Sequence, residues 1–327
     1  MNPARFQSLL LAALDRRAAL RTPDLTAYRI VDGRGDALEG LYLDRYGPAT
    51  VLNVYDDARL DDAAVTLLAA TTLETIGPDG VEAVYVKRFA RDRSRLGGLA
   101  PEESRSAAPR AGRAQPEAIV VREYGSRFEI RLYDGFSTGL FLEHREHRRA
   151  LAQPPPRRAL NLFAYTCGFA VPLMAAGAHV TNVDVSNRYL SWGRRNLALN
   201  GLDPGAARFY RMDALAYLAY AARHPEERFD LIILDPPTFA AGDPRQRRKP
   251  WRASADYPDL VRAAAAVLAP GGAVFAASNA RELAEPAALA RAIERGLGRT
   301  PTWTPLPPWP VDVREHGRVA AACFTID

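Results

Sequence analysis

The chain has 327 residues, enough for two domains with substantial cores, and no apolar run approaches the roughly 20 residues that span a bilayer. Basic residues outnumber acidic ones 43 to 38, a positive excess that permits a nucleic-acid partner without demanding one. The only cysteines, Cys167 and Cys323, argue against a disulfide framework and fit a reducing, cytoplasmic compartment.

Residues 2–20 place Phe6, Leu9, Leu10, Ala13 and Leu14 on one stripe, which predicts an amphipathic helix and not a signal peptide. From Tyr28 to Tyr55 short β-rich runs alternate with Asp-Gly, Gly-Asp and Gly-Pro punctuation. A helix over 60–75 and a strand over 81–86 complete a small α+β domain, set at 1–133. Arg88, Arg91, Arg93 and Arg95 follow, and 97–118 is so rich in Gly, Pro, Ser, Ala and Arg that it reads as a flexible loop. It is either a basic flap for RNA phosphates or a solvated insertion. Only Lys87 and Lys249 are lysines, so the arginine bias lowers the weight of every such cluster. Residues 119–132 alternate about Tyr124-Gly125-Ser126 as a hairpin.

A bridge, 134–158, carries His144 and His147 three apart beside Glu143 and Glu146. No further ligand groups accompany them, so the expectation is a polar helix face and no metal. From Ala159 strands and helices alternate: strands at 159–163, 180–183, 207–212, 230–234 and 273–277, helices at 170–176, 187–200, 214–222, 255–269 and 286–297. This predicts an α/β fold with a doubly wound, Rossmann-like sheet over 159–327, closed by a final strand at 319–326.

The first βαβ unit, ALNLFAYTCGFAVPLMAAGAHVTNVD, has the form that binds a nucleoside at the carboxyl ends of its strands. Phe163, Tyr165, Thr166, Cys167 and Gly168 form the candidate cofactor turn, with Gly168 expected to let the backbone approach a ligand. Asp184, ending the second strand, suits a ribose diol. The turn lacks G-x-G-x-x-G, which disfavours a dinucleotide and leaves S-adenosylmethionine.

The ordered runs TGLFLEHR, NLFAYTCGFA, VDVSNRYLSWGRRNLALNGL and FDLIILDPPTF resemble the class I S-adenosylmethionine-dependent methyltransferases of large-subunit ribosomal RNA. The resemblance covers most of the chain from about residue 25. It implies that residues 1–133 correspond to a middle, RNA-binding domain, and that the bridge lies beside the cofactor, with His144 where Gln is usual. It implies further that Asp213 reads the adenine amino group, although Asp there also suits a helix N-cap. Asp235, Pro236 and Phe239 become the reaction turn: the acid, which also borders the cofactor, and a proline carbonyl orient an amino group, and the phenyl ring stacks on the base. SNAR after the fifth strand is similar to the guanine-modifying, N7-type members and sets Asn279 opposite the base. The 5-methylcytosine branch has a cysteine there. Arg245, Arg247, Arg248 and Trp251 could grip RNA, Trp251 by stacking, or form a solvated loop. The partner implied is ribosomal RNA, with no membrane and no obligate protein partner. Competing readings are a 5-methylcytosine ribosomal RNA methyltransferase, a methyltransferase of a protein amide or small molecule, an inactive RNA-binding relative, and a nicotinamide oxidoreductase.

Overall fold

The computed structural model describes residues 2–89, 102–242, 249–315 and 317–326. It divides into two units, Met1–Arg145 with Trp309–Glu315, and Glu146–Pro308 with His316–Asp327.

The first unit begins with α1 (Pro3–Arg16), started by Asn2, whose side chain accepts from Ala4 N, with Pro3 at the first turn. Strands β1 (Ala27–Asp32), β2 (Leu41–Tyr46) and β3 (Ala49–Tyr55), helix α2 (Asp62–Ile76), and strands β4 (Ala83–Phe89) and β5 (Ala111–Gly112) follow. They form a five-stranded sheet in the order β1-β2-β3-β4-β5. Phe6, Leu10, Ala13 and Leu14 of α1 and Val65, Leu68 and Ala69 of α2 join Ile30, Leu43, Leu52 and Val84 of the sheet in one apolar core. Strands β6 (Ile119–Glu123) and β7 (Ser126–Ile130) make the expected hairpin.

The flexible loop expected at 97–118 is corrected over its described part, 102–118. A composition poor in apolar residues is held there by polar bonds to the sheet. Arg110 pairs with Glu103 and Asp62, β5 joins β4 through Ala83–Gly112, and Gln115 N donates to the Tyr85 hydroxyl at 3.0 Å.

A buried ionic network ties 309–315 into this unit. Arg17 and Asp36 meet at 2.6 Å with both side chains fully buried. The Asp312 carboxylate accepts from Arg145 at 2.6 Å and from the Arg29 amide at 2.8 Å, while Asp32 accepts from the amides of Arg314 and Glu315. His144 is also buried here, 5.8 Å from the Trp309 ring, which corrects the expected polar face at that position.

The second unit contains α3 (Arg145–Leu151, its first residue counted in the other unit), then β8 (Arg158–Leu162), α4 (Ala170–Ala175), β9 (His179–Asp184), α5 (Asn187–Leu199), β10 (Arg208–Arg211) and α6 (Ala214–Ala221). It continues with β11 (Phe229–Leu234), β12 (Phe239–Ala240), β13 (Trp251–Arg252), α7 (Ala253–Ala265), β14 (Leu268–Ser278), α8 (Pro286–Leu297), β15 (Thr302–Thr304) and β16 (Ala320–Thr325). The seven-stranded sheet runs β10-β9-β8-β11-β14-β16-β15, with β10 to β14 parallel and the last two strands antiparallel. Fully apolar strands such as LIIL bury both faces, one under α6, α7 and α8 and the other against α4 and α5. His147 belongs to this interior, 1% exposed and 5.2 Å from Phe275, so the polar-face expectation fails for it too. Strand order reverses between β8 and β11, and ligands of open α/β sheets bind at the carboxyl ends on either side of such a switch.

Candidate active site

Two turns flank that switch point. The first leaves β8 at Phe163. Phe163, Tyr165 and Cys167 all have left-handed φ, of 55°, 48° and 61°, whereas Gly168 is absent from the positive-φ residues. The expected freedom at Gly168 is therefore corrected: three side-chain-bearing residues take the strain, at a cost of about 1–2 kcal/mol each. What compensates is burial and bonding. Cys167 N donates to Ala164 O at 2.7 Å, and Ala164 N to Val183 O at 3.0 Å. Tyr165 packs edge-on against Tyr189, ring centroids 4.5 Å apart.

Asp184, at the end of β9, accepts from Tyr165 N at 2.9 Å through one oxygen and from Ser186 N at 2.8 Å through the other. It is half-exposed, and a carboxylate has lone pairs for more than two donors. Asp213 caps α6, accepting from Leu215 N at 3.0 Å and Ala216 N at 3.2 Å, and it too is half-exposed. The N-cap reading is thus the one on view, and a cap carboxylate retains acceptor capacity for an amino group. Thr166 and Cys167 are buried beneath the turn, so their share in a cofactor site falls to backbone. Burial pushes the Cys167 thiol well above its ordinary range, with the Asp184 charge adding to it.

The second turn, Asp235-Pro236-Pro237-Thr238-Phe239, leaves β11. Trp251 Nε1 donates to the Pro237 carbonyl at 2.8 Å, Ala253 N donates to Thr238 O at 3.0 Å, and β12 pairs with β13 through Phe239–Arg252. Trp251 is 9% exposed with its ring 5.9 Å from Phe163, which corrects the expectation that it stacks on RNA. Its indole N–H serves the turn, and its ring fills the space next to Phe163. Thr238 Oγ1 donates to Asn279 Oδ1 at 2.9 Å, joining the turn to the end of β14. Phe239 remains 57% exposed, a large apolar ring held up on a braced turn. Asp235 is half-buried, and its charge adds to the burial that raises the hydroxyl pKa of Tyr257, which donates to Ala277 O at 2.9 Å.

The sequence-derived residues Phe163, Tyr165, Asp184, Asp213, Asp235, Pro236, Phe239 and Asn279 thus all stand at or next to the carboxyl ends of the parallel strands. Arg91, Arg93, Arg245, Arg247 and Arg248 lie outside the described residues. Sequence reading missed the braces: Trp251 in its present role, Tyr257, and on α5 Gly193, which lies against Cys167, and Asn196, whose Nδ2 donates to Thr166 O. Among the described residues no group of three or more His, Cys, Asp or Glu is arranged to hold a metal ion.

A family model for S-adenosylmethionine-dependent methyltransferases matches residues 105–295. The chain belongs to this family. The methyltransferase is 32% identical over 285 residues to YwbD of Bacillus subtilis, named as a candidate ribosomal RNA large subunit methyltransferase, covering 85% of this chain and 67% of that one. It is 32% identical over 279 residues to ribosomal RNA large subunit methyltransferase I of Klebsiella pneumoniae, covering 84% and 66%. It therefore spans about two thirds of the length of these relatives. Among solved structures, SMU.776, a candidate methyltransferase complexed with SAH, superposes with a TM-score of 0.84 at 26% identity, covering 99% of this chain and 81% of that one. The cofactor is S-adenosylmethionine. The half-exposed carboxylates of Asp184 and Asp213, beside the Phe163–Gly168 turn, are chemically suited to accept from a ribose diol and an amino group.

Proposed function

We propose that the methyltransferase acts on a guanine nitrogen of large-subunit ribosomal RNA, N7 in preference to N2, by direct transfer with no covalent enzyme–RNA intermediate. The observation that carries this reading is the make-up of the reaction turn: the Asp235 carboxylate, the Pro236 carbonyl, an exposed Phe239 ring, and the Thr238–Asn279 pair where carbon methylation would call for a thiol. Methylation at carbon 5 of a pyrimidine needs a thiolate that adds to the ring. Cys323 pairs with Phe275, inside the sheet and not at Ser278 where β14 ends, and Cys167 lies under the cofactor turn. Burial raises both thiols above their ordinary range, which favours the inert neutral form.

S-adenosylmethionine supplies an electrophilic methyl group, so the residues have chiefly to align a lone pair with it. Guanine N7 carries that lone pair without losing a proton, and Asp235 has no proton to remove there. At N2, Asp235 and the Pro236 carbonyl would accept the amino hydrogens while the lone pair turns toward the methyl group. Phe239 holds the base by stacking. Ribosomal RNA as the substrate is supported by the names of the Bacillus and Klebsiella relatives and by the positive charge excess. The arginines at 91, 93, 245, 247 and 248 are the proposed phosphate contacts. The test is incubation of deproteinised ribosomal RNA with labelled cofactor, followed by nucleoside mass spectrometry. A labelled methylguanosine is expected. Labelled 5-methylcytidine, or trapping of the protein on RNA containing 5-fluorocytosine, overturns the proposal.

A further inference from the structure

We infer that Asn196 is a positioning residue for the cofactor turn: its side-chain amide holds the Thr166 carbonyl, and thereby the backbone that faces S-adenosylmethionine. Asn196 lies on α5, is fully buried, and donates through Nδ2 to Thr166 O at 2.9 Å. The bond spans 30 residues of sequence and reaches the middle of a turn in which every second residue from Phe163 to Cys167 is left-handed. Such a turn has competing conformations with less strain, and rotating the Thr166–Cys167 peptide is the simplest way to reach one. That rotation would turn the Thr166 carbonyl away from Asn196 and withdraw the Cys167 amide from Ala164 O. Asn196 opposes it, because the carbonyl would lose its buried donor.

Gly193 makes the approach possible. A Cβ at this position would fall 2.3 Å from Cys167 Sγ, so only a bare backbone lets α5 come this close. Gly193 and Asn196, three apart, share one face of the helix. The turn is thus gripped at successive residues: Tyr165 N by Asp184, Thr166 O by Asn196, and Cys167 by the surface at Gly193. Asp184 is half-exposed and able to touch the ligand, whereas Asn196 lies beneath the turn and acts through it. This inference concerns the cofactor and stands whatever base is methylated.

The experiment is calorimetric titration of SAH into the native protein, Asn196→Leu and Asn196→Asp between about pH 5.5 and pH 8, with thermal unfolding run in parallel. Asn196→Leu leaves the carbonyl without its donor and should weaken SAH by about 10- to 100-fold. Asn196→Asp should bind weakly at the upper pH, where an ionised carboxylate faces the carbonyl. Burial raises the pKa of a carboxyl group, and once protonated the group donates again, so affinity should recover as pH falls. Asp184, Cys167, Tyr165, Tyr189, Arg188 and Arg194, titratable groups about the turn, are common to all three proteins, and the native profile measures their contribution. In turnover the KM for S-adenosylmethionine should rise more than kcat falls. Native affinity in Asn196→Leu, or a pH profile of Asn196→Asp parallel to the native one, overturns the inference and leaves Asn196 a packing residue. Should either variant not fold, Gly193→Ala tests the same grip from the neighbouring position: weakened SAH binding is expected, and unchanged binding counts against it.

Discussion

The turns after β8 and β11 leave adjacent parallel strands of one sheet, and they are built on opposite plans. The cofactor turn is sunk into the unit, with left-handed backbone at Phe163, Tyr165 and Cys167 and its buried residues gripped from below by α5. The reaction turn stands out of the surface. Its backbone is stiffened by Pro236 and Pro237, and the restraint comes from beyond it, through Trp251, Ala253 and Asn279. Under the proposed function the difference has a reason: a small cofactor of fixed shape can be matched by buried, strained backbone, whereas a base borne on a polymer has to reach an exposed ring.

The largest effect should fall on the cofactor side. Asp184→Ala removes the proposed acceptor of the diol together with the bonds from Tyr165 N and Ser186 N, and calorimetry should record a loss of roughly 2–4 kcal/mol in SAH binding. If the folded variant binds SAH like the native protein, the assignment of this turn to the cofactor fails. Next comes Phe239→Ala, which should cost about 1–3 kcal/mol in kcat/KM for RNA while leaving SAH affinity unchanged. A parallel loss of SAH binding would mean that the two turns do not work separately. Trp251→Phe keeps the ring and deletes the donor to Pro237 O, so a decrease of about 1 kcal/mol in transition-state stabilisation is expected, read from kcat/KM for RNA.

The smallest effect is expected from the thiols. A Cys167→Ser, Cys323→Ser protein should retain most of its methyl transfer. Its clearest trace should appear in stability against pH. Both thiols are raised by burial, so above the ordinary thiol pKa of about 8.5 the unfolded chain releases protons that the folded chain keeps. Stability of the native protein must then fall as pH rises past that value, and the double variant should lose that component of the slope in denaturant titrations. An identical slope in both proteins would contradict the burial described for these cysteines.

Much of the sheet was legible because its strands are short, apolar and separated by helices of clear period. LNL, NVD and IILDPP mark their own ends, and the acids follow where apolar residues stop. Even the helix at 286–297 matches α8 residue for residue. What sequence could not convey is which partner a polar or aromatic side chain finds. Trp251 stands beside a run of basic residues, which suggested RNA, yet its indole serves a carbonyl 14 residues earlier in the chain. Asn196 sits in a helix whose polar residues mostly face water, and nothing local says that one amide turns inward. Gly168 drew attention as the residue that tolerates left-handed backbone, while three bulkier neighbours adopt it, because tertiary bonding overrode local preference. His144 and His147 looked like a wet helix face since their neighbours are charged, and both are buried.

The return of residues 309–315 to the first unit bears on how the protein is made. Arg145, Arg29 and Arg17 all bond to Asp312, and Asp32 receives amides from Arg314 and Glu315. Until residue 312 has been made, the buried Arg145 guanidinium therefore lacks the Asp312 carboxylate, whereas those of Arg17 and Arg29 already have Asp36, Asp32 and Asp44. The second unit waits as well, since β16 separates β14 from the edge strand β15. Vectorial synthesis thus delivers 309–315 and β16 after the strands that they complete. Limited proteolysis of stalled nascent chains should find residues 27–46 still cleavable at a length of 308 and protected only once residue 315 has cleared the exit tunnel.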